Sequence, residues 1–408
     1  MRRTWLVNLA VFVLLLIAIP RFVVSGLIPA VHQLRGDFAA AFPTAYFARW
    51  RPDFPTSQVL GSEGALWNYG PMFHFLTLPL LLVPQWDQVP SAWAIANLGA
   101  LTISFLLVWR LRGPSAAGSP AAIVATAGLW LLFQPLVNCF AQGNIEIVEV
   151  ALVLLALVCL QRGREGAAGG MMAVASCLKL LPVGFLGWMI LRRRWRAVAA
   201  GAAVMVLVAA LTATTLGWGR SLTRRSSLSI IGDAPVAGFH ELSITSVFMH
   251  RASRLDLSTP TPRWFPLDRR TAAARAGAIS SVLLAACYAG LLLHASRLRP
   301  REVMPEEIAI LFLLMLILPP WNHDYYYLFA LVPLTLLLVE SAGDRDLVTF
   351  ALAIVGYLLM SPPIPFGIMT RTGLFSGSFA YALNFYDVPV AGSLVLLFAA
   401  TRRLLVLM

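Results

Sequence analysis

The feature that most limits how this chain can fold is the repeated return, along 408 residues, of long apolar runs. "WLVNLAVFVLLLIAIP", "IEIVEVALVLLALVCL" and "AVAAGAAVMVLVAALTATTLG" approach the roughly 20 residues an α-helix needs to cross a hydrocarbon layer. In lipid each backbone N–H and C=O must be satisfied within its own segment, so such runs imply helices and exclude a single anchor carrying a soluble domain. Hydrophobic residues make up 59% of the chain and charged residues 12%, more apolar side chain than a soluble core needs. The expected fold class is all-α, a polytopic transmembrane helical bundle forming one integral membrane domain over residues 1–408.

A formal charge of +12 would point to nucleic acid in a soluble protein. Here the arginines sit in short clusters between apolar runs: "MRR", "RLRG" at 110–113, "RGR" at 162–164, "RRRWR" at 192–196, "RLRPR" at 297–301 and "TRR" near the end. They read as cytoplasmic anchors under the positive-inside rule, which puts both termini inside a bacterial plasma (inner) membrane and leaves no role for nucleic acid. The basic start lacks a small-residue cleavage site, so the first helix is expected to be retained. Cys139, Cys159, Cys177 and Cys287 show no paired spacing and read as small packing residues.

Spanning helices are expected near 5–29, 92–110, 120–140, 146–161, 197–217, 273–296, 306–320, 325–342, 346–360 and 388–404. The short Pro-bounded run at 71–84 reads as an interfacial or re-entrant helix. The segment ending in "LRRR" reads as two short helices broken near Lys179 and Pro182. About 10 to 12 spans result. This threading places two long loops, 30–91 and 218–272, on the outer side together with most of the polar chemistry, and long ordered loops commonly carry function.

Within the first loop, Asp37 lies just beyond the first helix, where a carboxylate suits a general base or, more plainly, a helix cap. Glu63, Trp67, Asn68 and Tyr69 supply groups that suit a sugar or acceptor surface, although Trp and Tyr also form interfacial belts. Gln142, Asn144, Glu146 and Glu149 open an otherwise apolar helix, where carboxylates must face a polar interior or another helix. Lys179, the only lysine in the chain, sits mid-segment, where an ammonium meets an anion such as a lipid phosphate or pairs with a carboxylate. The second loop carries Arg224, Arg225, His240, Glu241 and Ser243, much of it suited to an amphipathic surface helix. No metal-ligand spacing occurs, "DRD" at 344–346 reads as a turn, and no cofactor is expected. In "LPPWNHDYYYLFALVPL" the prolines end one helix and His323 sits in a tight outer turn. An aromatic belt accounts for the tyrosines but not for His323 or Asp324.

The order of these motifs resembles the GT-C membrane glycosyltransferases, in particular the mannosyl- and arabinofuranosyltransferases of the family 87 type that use polyprenyl-phosphomannose. The likeness rests on "GDFAAAF", "WNYGPM", "QGNIEI", "LKLLPVGFLGWMILRRRWRA" and "PPWNHDYYYLFALVPL". Lys179 is followed by Leu-Leu-Pro where the family has Pro directly, and "HELS" replaces an Asn-rich Ser motif. The resemblance implies an inverting transferase that moves a sugar, mannose first, from a polyprenyl-phosphate donor to a lipid or glycan hydroxyl at the outer face. Asp37 would then be the base and His323 the leaving-group stabiliser. Lys179, Arg225, Gln142 and Asn144 would hold the donor, and Glu63, Trp67, Tyr69, His240 and Glu241 the acceptor or sugar. Besides these substrates, the partners expected are membrane lipids. A polytopic transporter or lipid flippase is the alternative from broken helices and buried carboxylates alone.

Overall fold

The computed structural model describes residues 2–32, 72–83, 86–112, 120–216, 242–256, 261–264, 266–300, 302–320, 322–361 and 387–408. The chain forms two compact units. The first comprises Leu15–Leu111 and Leu136–Ile230, and the second Met1–Leu14, Arg112–Pro135 and Ile231–Met408.

The described residues are overwhelmingly helical. In chain order they form α1 (Arg2–Phe22), a π turn (Val23–Leu27), α2 (Ile28–His32), α3 (Met72–Thr77), α4 (Val89–Leu111), α5 (Pro120–Leu132) and α6 (Gln134–Ala141). Next come α7 (Glu146–Gln161), α8 (Glu165–Leu178), α9 (Val183–Leu191), α10 (Trp195–Leu216) and α11 (Ile244–Arg251). A short antiparallel hairpin follows, β1 (Ser253–Asp256) with β2 (Thr261–Trp264), pairing Ser253 with Trp264. The chain closes with α12 (Leu267–Leu298), α13 (Pro305–Ile317), a 3-10 turn (Asp324–Ala330), α14 (Leu331–Asp344), α15 (Leu347–Met360) and α16 (Val388–Leu407). The protein is thus an all-α polytopic bundle, with the hairpin a local feature of the 218–272 loop.

Among the described residues, six helices are long and apolar enough to cross a membrane: Val7–His32, Val89–Leu111, Trp195–Thr214, Asp268–Leu298, Tyr325–Asp344 and Val388–Leu407. The bent pair α5 and α6, at 59°, makes a seventh if counted as one span. The sequence count of about 10 to 12 is larger because it includes α7, α8, α13 and α15, which have 16, 14, 13 and 14 residues. At 1.5 Å rise per residue they reach roughly 20 to 24 Å, short of a hydrocarbon layer of roughly 30 Å. The expected short element at 71–84 is present as α3 followed by a 3-10 turn, Leu78–Leu82.

In the first unit α7 is the central helix, and Val153, Leu154, Ala156 and Leu157 have no exposure. It packs on α4 and α8. α8 in turn lies against α10 so closely that a Cβ at Gly169 would stand 1.8 Å from the Ala197 carbonyl oxygen. Small residues at such crossings let helices approach where lipid supplies no hydrophobic drive.

α13 plays the central part in the second unit, buried on every side from Glu306 to Ile317, as an all-round apolar helix must be. α15 and α16 cross at Gly356 and Gly392, where a Cβ at Gly356 would lie 2.7 Å from Leu396. One end of this unit is tied by ions. Arg403 Nε meets Glu306 at 2.6 Å, and its guanidinium also reaches Glu340 and Asp344. Asp346 accepts from the Thr349 backbone N–H at the start of α15 and pairs with Arg402 at 2.6 Å. Both aspartates of "DRD" therefore hold helix ends together, in keeping with their reading as a turn.

Candidate functional site

The break expected near Lys179 and Pro182 separates α8 from α9. Proline cannot continue the helical ladder. Lys179 leaves the helix extended at φ −142° and ψ 151°, and its side chain, only 4% exposed, bonds the Glu146 carboxylate at the first turn of α7. Glu146 has no exposed surface and also lies 3.9 Å from Cys139 Sγ.

A tight turn delivers Glu146 to that place. Gly143 adopts φ +65°, which L-residues with a side chain disfavour, and Trp93 lies 3.4 Å from where its Cβ would be. The Trp93 indole N–H donates to the Gly143 carbonyl at 2.6 Å. Asn97 reaches the Asn144 carbonyl at 3.5 Å, and the Asn144 amide donates to Gln142 Oε1 at 3.2 Å. Gln142, Asn144 and Lys179, proposed from sequence as donor-binding residues, thus gather at the opening of α7.

Glu149, one turn further, is fully buried within electrostatic range of Lys179 and Glu146, and among the described residues neither of its carboxyl oxygens has a hydrogen-bond partner. Asn97 Oδ1 and Asn144 Oδ1 are buried acceptors in the same condition. This corner is rich in acceptors and carries one buried cation.

His323 belongs to the second unit. It precedes the 3-10 turn, half-buried, with its ring stacked on Tyr325 at 5.3 Å and Tyr326 5.9 Å away. The turn is pinned from outside. Leu242 N–H donates to the Asn322 carbonyl at 2.7 Å, Ser243 Oγ to Pro320 at 3.2 Å, and Tyr327 hydroxyl to Leu242 at 3.2 Å. Asn322 Nδ2 also bonds the Leu316 carbonyl. Tyr327 has no exposed surface, so it belongs to the packing of the turn and not to an interfacial belt.

Sequence reasoning passed over a second polar pair in this unit. His250 Nδ1 lies 2.8 Å from Asp387 Oδ1, with the two side chains 1% and 6% exposed. Asp387 immediately precedes α16 at φ 59° yet makes no side-chain capping bond. Aspartate is one of the few non-glycine residues that enter the left-handed region, and here its side chain is turned to the tertiary partner His250. Burial pushes the Asp387 carboxyl up, opposed by its bond to His250 and by the charges of His250 and Arg251. The only local signal for Asp387 was an acid just ahead of "VPVAG", the pattern of a helix start. Trp93 and Asn97 were hidden within an apolar run.

Asp37, Glu63, Trp67, Tyr69, Arg225, His240 and Glu241 lie outside the described residues. Among the described residues no group of three or more His, Cys, Asp or Glu is arranged to hold a metal ion.

Comparison with known proteins adds two findings. A 196-residue stretch, 47% of this chain, is 29% identical to the polyprenol-phosphate-mannose-dependent alpha-(1-2)-phosphatidylinositol pentamannoside mannosyltransferase of Mycolicibacterium smegmatis. The match spans 42% of that relative's length. The model of glycosyltransferase family 87 matches residues 67–320, more than half of the chain. That interval holds the Lys179 break, the Gly143 turn and the two carboxylates of α7, and it stops just before the His323 turn. With the broken helix and its ion pair inside the matched region of an all-α membrane bundle, the chain belongs to glycosyltransferase family 87.

Proposed function

We propose that the protein is an inverting membrane glycosyltransferase that takes a sugar, mannose in the first instance, from a polyprenyl-phosphate-linked donor. The sugar passes to a hydroxyl of a lipid or glycan at the outer face of the membrane. Family membership carries this reading, and the relative's name supports its donor class.

The chemistry has three requirements. A base must accept the proton of the acceptor hydroxyl as its oxygen attacks the anomeric carbon, and Asp37 takes that role. The bond from that carbon to the phosphate oxygen must break with its electron pair going to phosphate, and His323 stabilises the departing oxygen by hydrogen bonding. The donor phosphate needs cations, and these are Lys179 and Arg225. An ammonium has three N–H donors, so one side chain can hold both a carboxylate and a phosphate oxygen. Glu146 supports this assignment because it fixes where the Lys179 ammonium sits. Gln142 and Asn144 join Lys179 in holding the donor, and the 30–91 and 218–272 loops supply acceptor contacts through Glu63, Trp67, Tyr69, His240 and Glu241.

Removing one preorganised donor from an active site costs on the order of 100-fold or more in turnover, and removing a general base costs on the order of 100-fold to 10,000-fold. The test is transfer of labelled mannose from polyprenyl-phosphate-mannose by full-length protein in lipid vesicles. Asp37→Asn and His323→Ala should insert normally and lose activity by at least that factor. Wild-type turnover in correctly inserted Asp37→Asn protein would remove Asp37 as the base.

A further inference from the structure

We propose that His250 and Asp387 are positioning residues for the turn that carries His323, acting through α11 as a short rigid strut. The inference rests on the reading of His323 as the group that stabilises the departing phosphate.

The strut is visible as two clamps at opposite ends of one eight-residue helix. At its start, Leu242 and Ser243 are bonded to Asn322, Pro320 and Tyr327, residues that flank His323 on both sides. Ser243 and Ser246 form a reciprocal capping box there, so the helix end itself is well defined. At its other end His250 bonds Asp387, the residue from which α16 departs. The first turn of the strut is also backed by α12, where a Cβ at Gly277 would lie 2.7 Å from the Thr245 Cα. All of these contacts fall within one compact unit.

The choice made by Asp387 carries the inference. An aspartate ahead of a helix ordinarily caps it. Asp387 instead makes no capping bond, adopts a left-handed backbone and turns one carboxyl oxygen to His250, while its buried Oδ2 has no hydrogen-bond partner among the described residues. Local preference is overridden in favour of a contact that fixes α11, and α11 fixes the turn. A misplacement of about 1 Å at a reacting group costs on the order of 100-fold in rate, so a loosened strut should register in turnover.

The experiment uses full-length protein in vesicles with polyprenyl-phosphate-mannose as donor and phosphatidylinositol pentamannoside as acceptor. His250→Ala should lower kcat by roughly ten- to a hundred-fold while leaving the donor KM within about twofold. His250→Asn, which keeps an N–H close to the Nδ1 position, should recover most of the rate. The deciding result is coupling: His250→Ala/His323→Ala should be no slower than His323→Ala alone, since interacting residues are not additive. If His250→Ala fails to insert, Asp387→Asn and Tyr327→Phe, which exchange or remove a single polar group, replace it in the same cycle with the same expectation. Losses that multiply in the double variant, or unchanged kcat in an inserted strut variant, would overturn the proposal. If His323→Ala turned over at the wild-type rate, the reading of His323 would be the one to fail.

Discussion

Lys179 is the only lysine of a strongly basic chain, and it is buried against a buried carboxylate. Removing one partner of a buried pair costs about 3–5 kcal/mol where no other charge compensates, and less here because Glu149 also lies within electrostatic range of Lys179, whereas replacing both by apolar groups of similar size is often neutral. Glu146→Ala should therefore unfold markedly earlier than wild type in a detergent thermal melt. Glu146→Leu with Lys179→Met should melt near the wild type yet bind donor poorly. Equal melting of all three would mean that the pair contributes nothing. The sequence made the odd lysine and both carboxylates of α7 conspicuous. It could not choose between Glu146 and Glu149 as partner, because residues three apart share one face of a helix and only the path of the Gly143 turn brings Glu146 to the ammonium. His250 and Asp387 were illegible for a related reason: 136 residues separate them in the chain, and each looks ordinary where it stands.

At the scale of elements, glycines in one helix separate packing from propensity. Gly169 abuts the Ala197 backbone, but Gly166, three residues earlier in α8, has nothing within 4 Å of its would-be Cβ. Gly169→Ala should destabilise by about 1–3 kcal/mol through overpacking, and Gly166→Ala should stabilise by about 0.5–1 kcal/mol through helix propensity. The same sign for both in a thermal melt would contradict the close crossing of α8 and α10. Asp346 offers a pH test. Although burial opposes it, bonds from the Thr349 side chain and backbone and from Arg402, with the Arg402 charge, hold its carboxyl down at about 2. A depressed folded-state value means stabilisation that is complete above the ordinary 3.8 and lost as pH falls towards 2. Asp346→Asn should accordingly flatten part of the fall in melting temperature between those values. An unchanged slope would exclude the Thr349 and Arg402 contacts as its source. The helix break at Lys179 and the short element at 71–84 were legible because proline and charge mark them. The 3-10 start of the 324–344 span was not, since its apolar pattern fits a regular helix equally well, nor was the early start of α12 at Leu267, whose Asp268, Arg269, Arg270 and Arg275 lie outside any apolar run.

For the molecule as a whole, composition and recurring apolar runs established an all-α membrane bundle. The number of spans was less accessible, because hydropathy does not distinguish a helix short and buried in protein, such as α13, from one that crosses the bilayer. The central claim is that this bundle carries out glycosyl transfer and does not merely move a lipid. The most direct measurement is mass spectrometry with anomeric analysis of the lipids in vesicles holding purified full-length protein, polyprenyl-phosphate-mannose and a membrane lipid extract as the source of acceptor hydroxyls. The account predicts one added hexose per polyprenyl phosphate released, in the anomeric configuration opposite to the donor's. Donor that crosses the bilayer with its sugar still attached, and no glycosylated product at any time point, would contradict it.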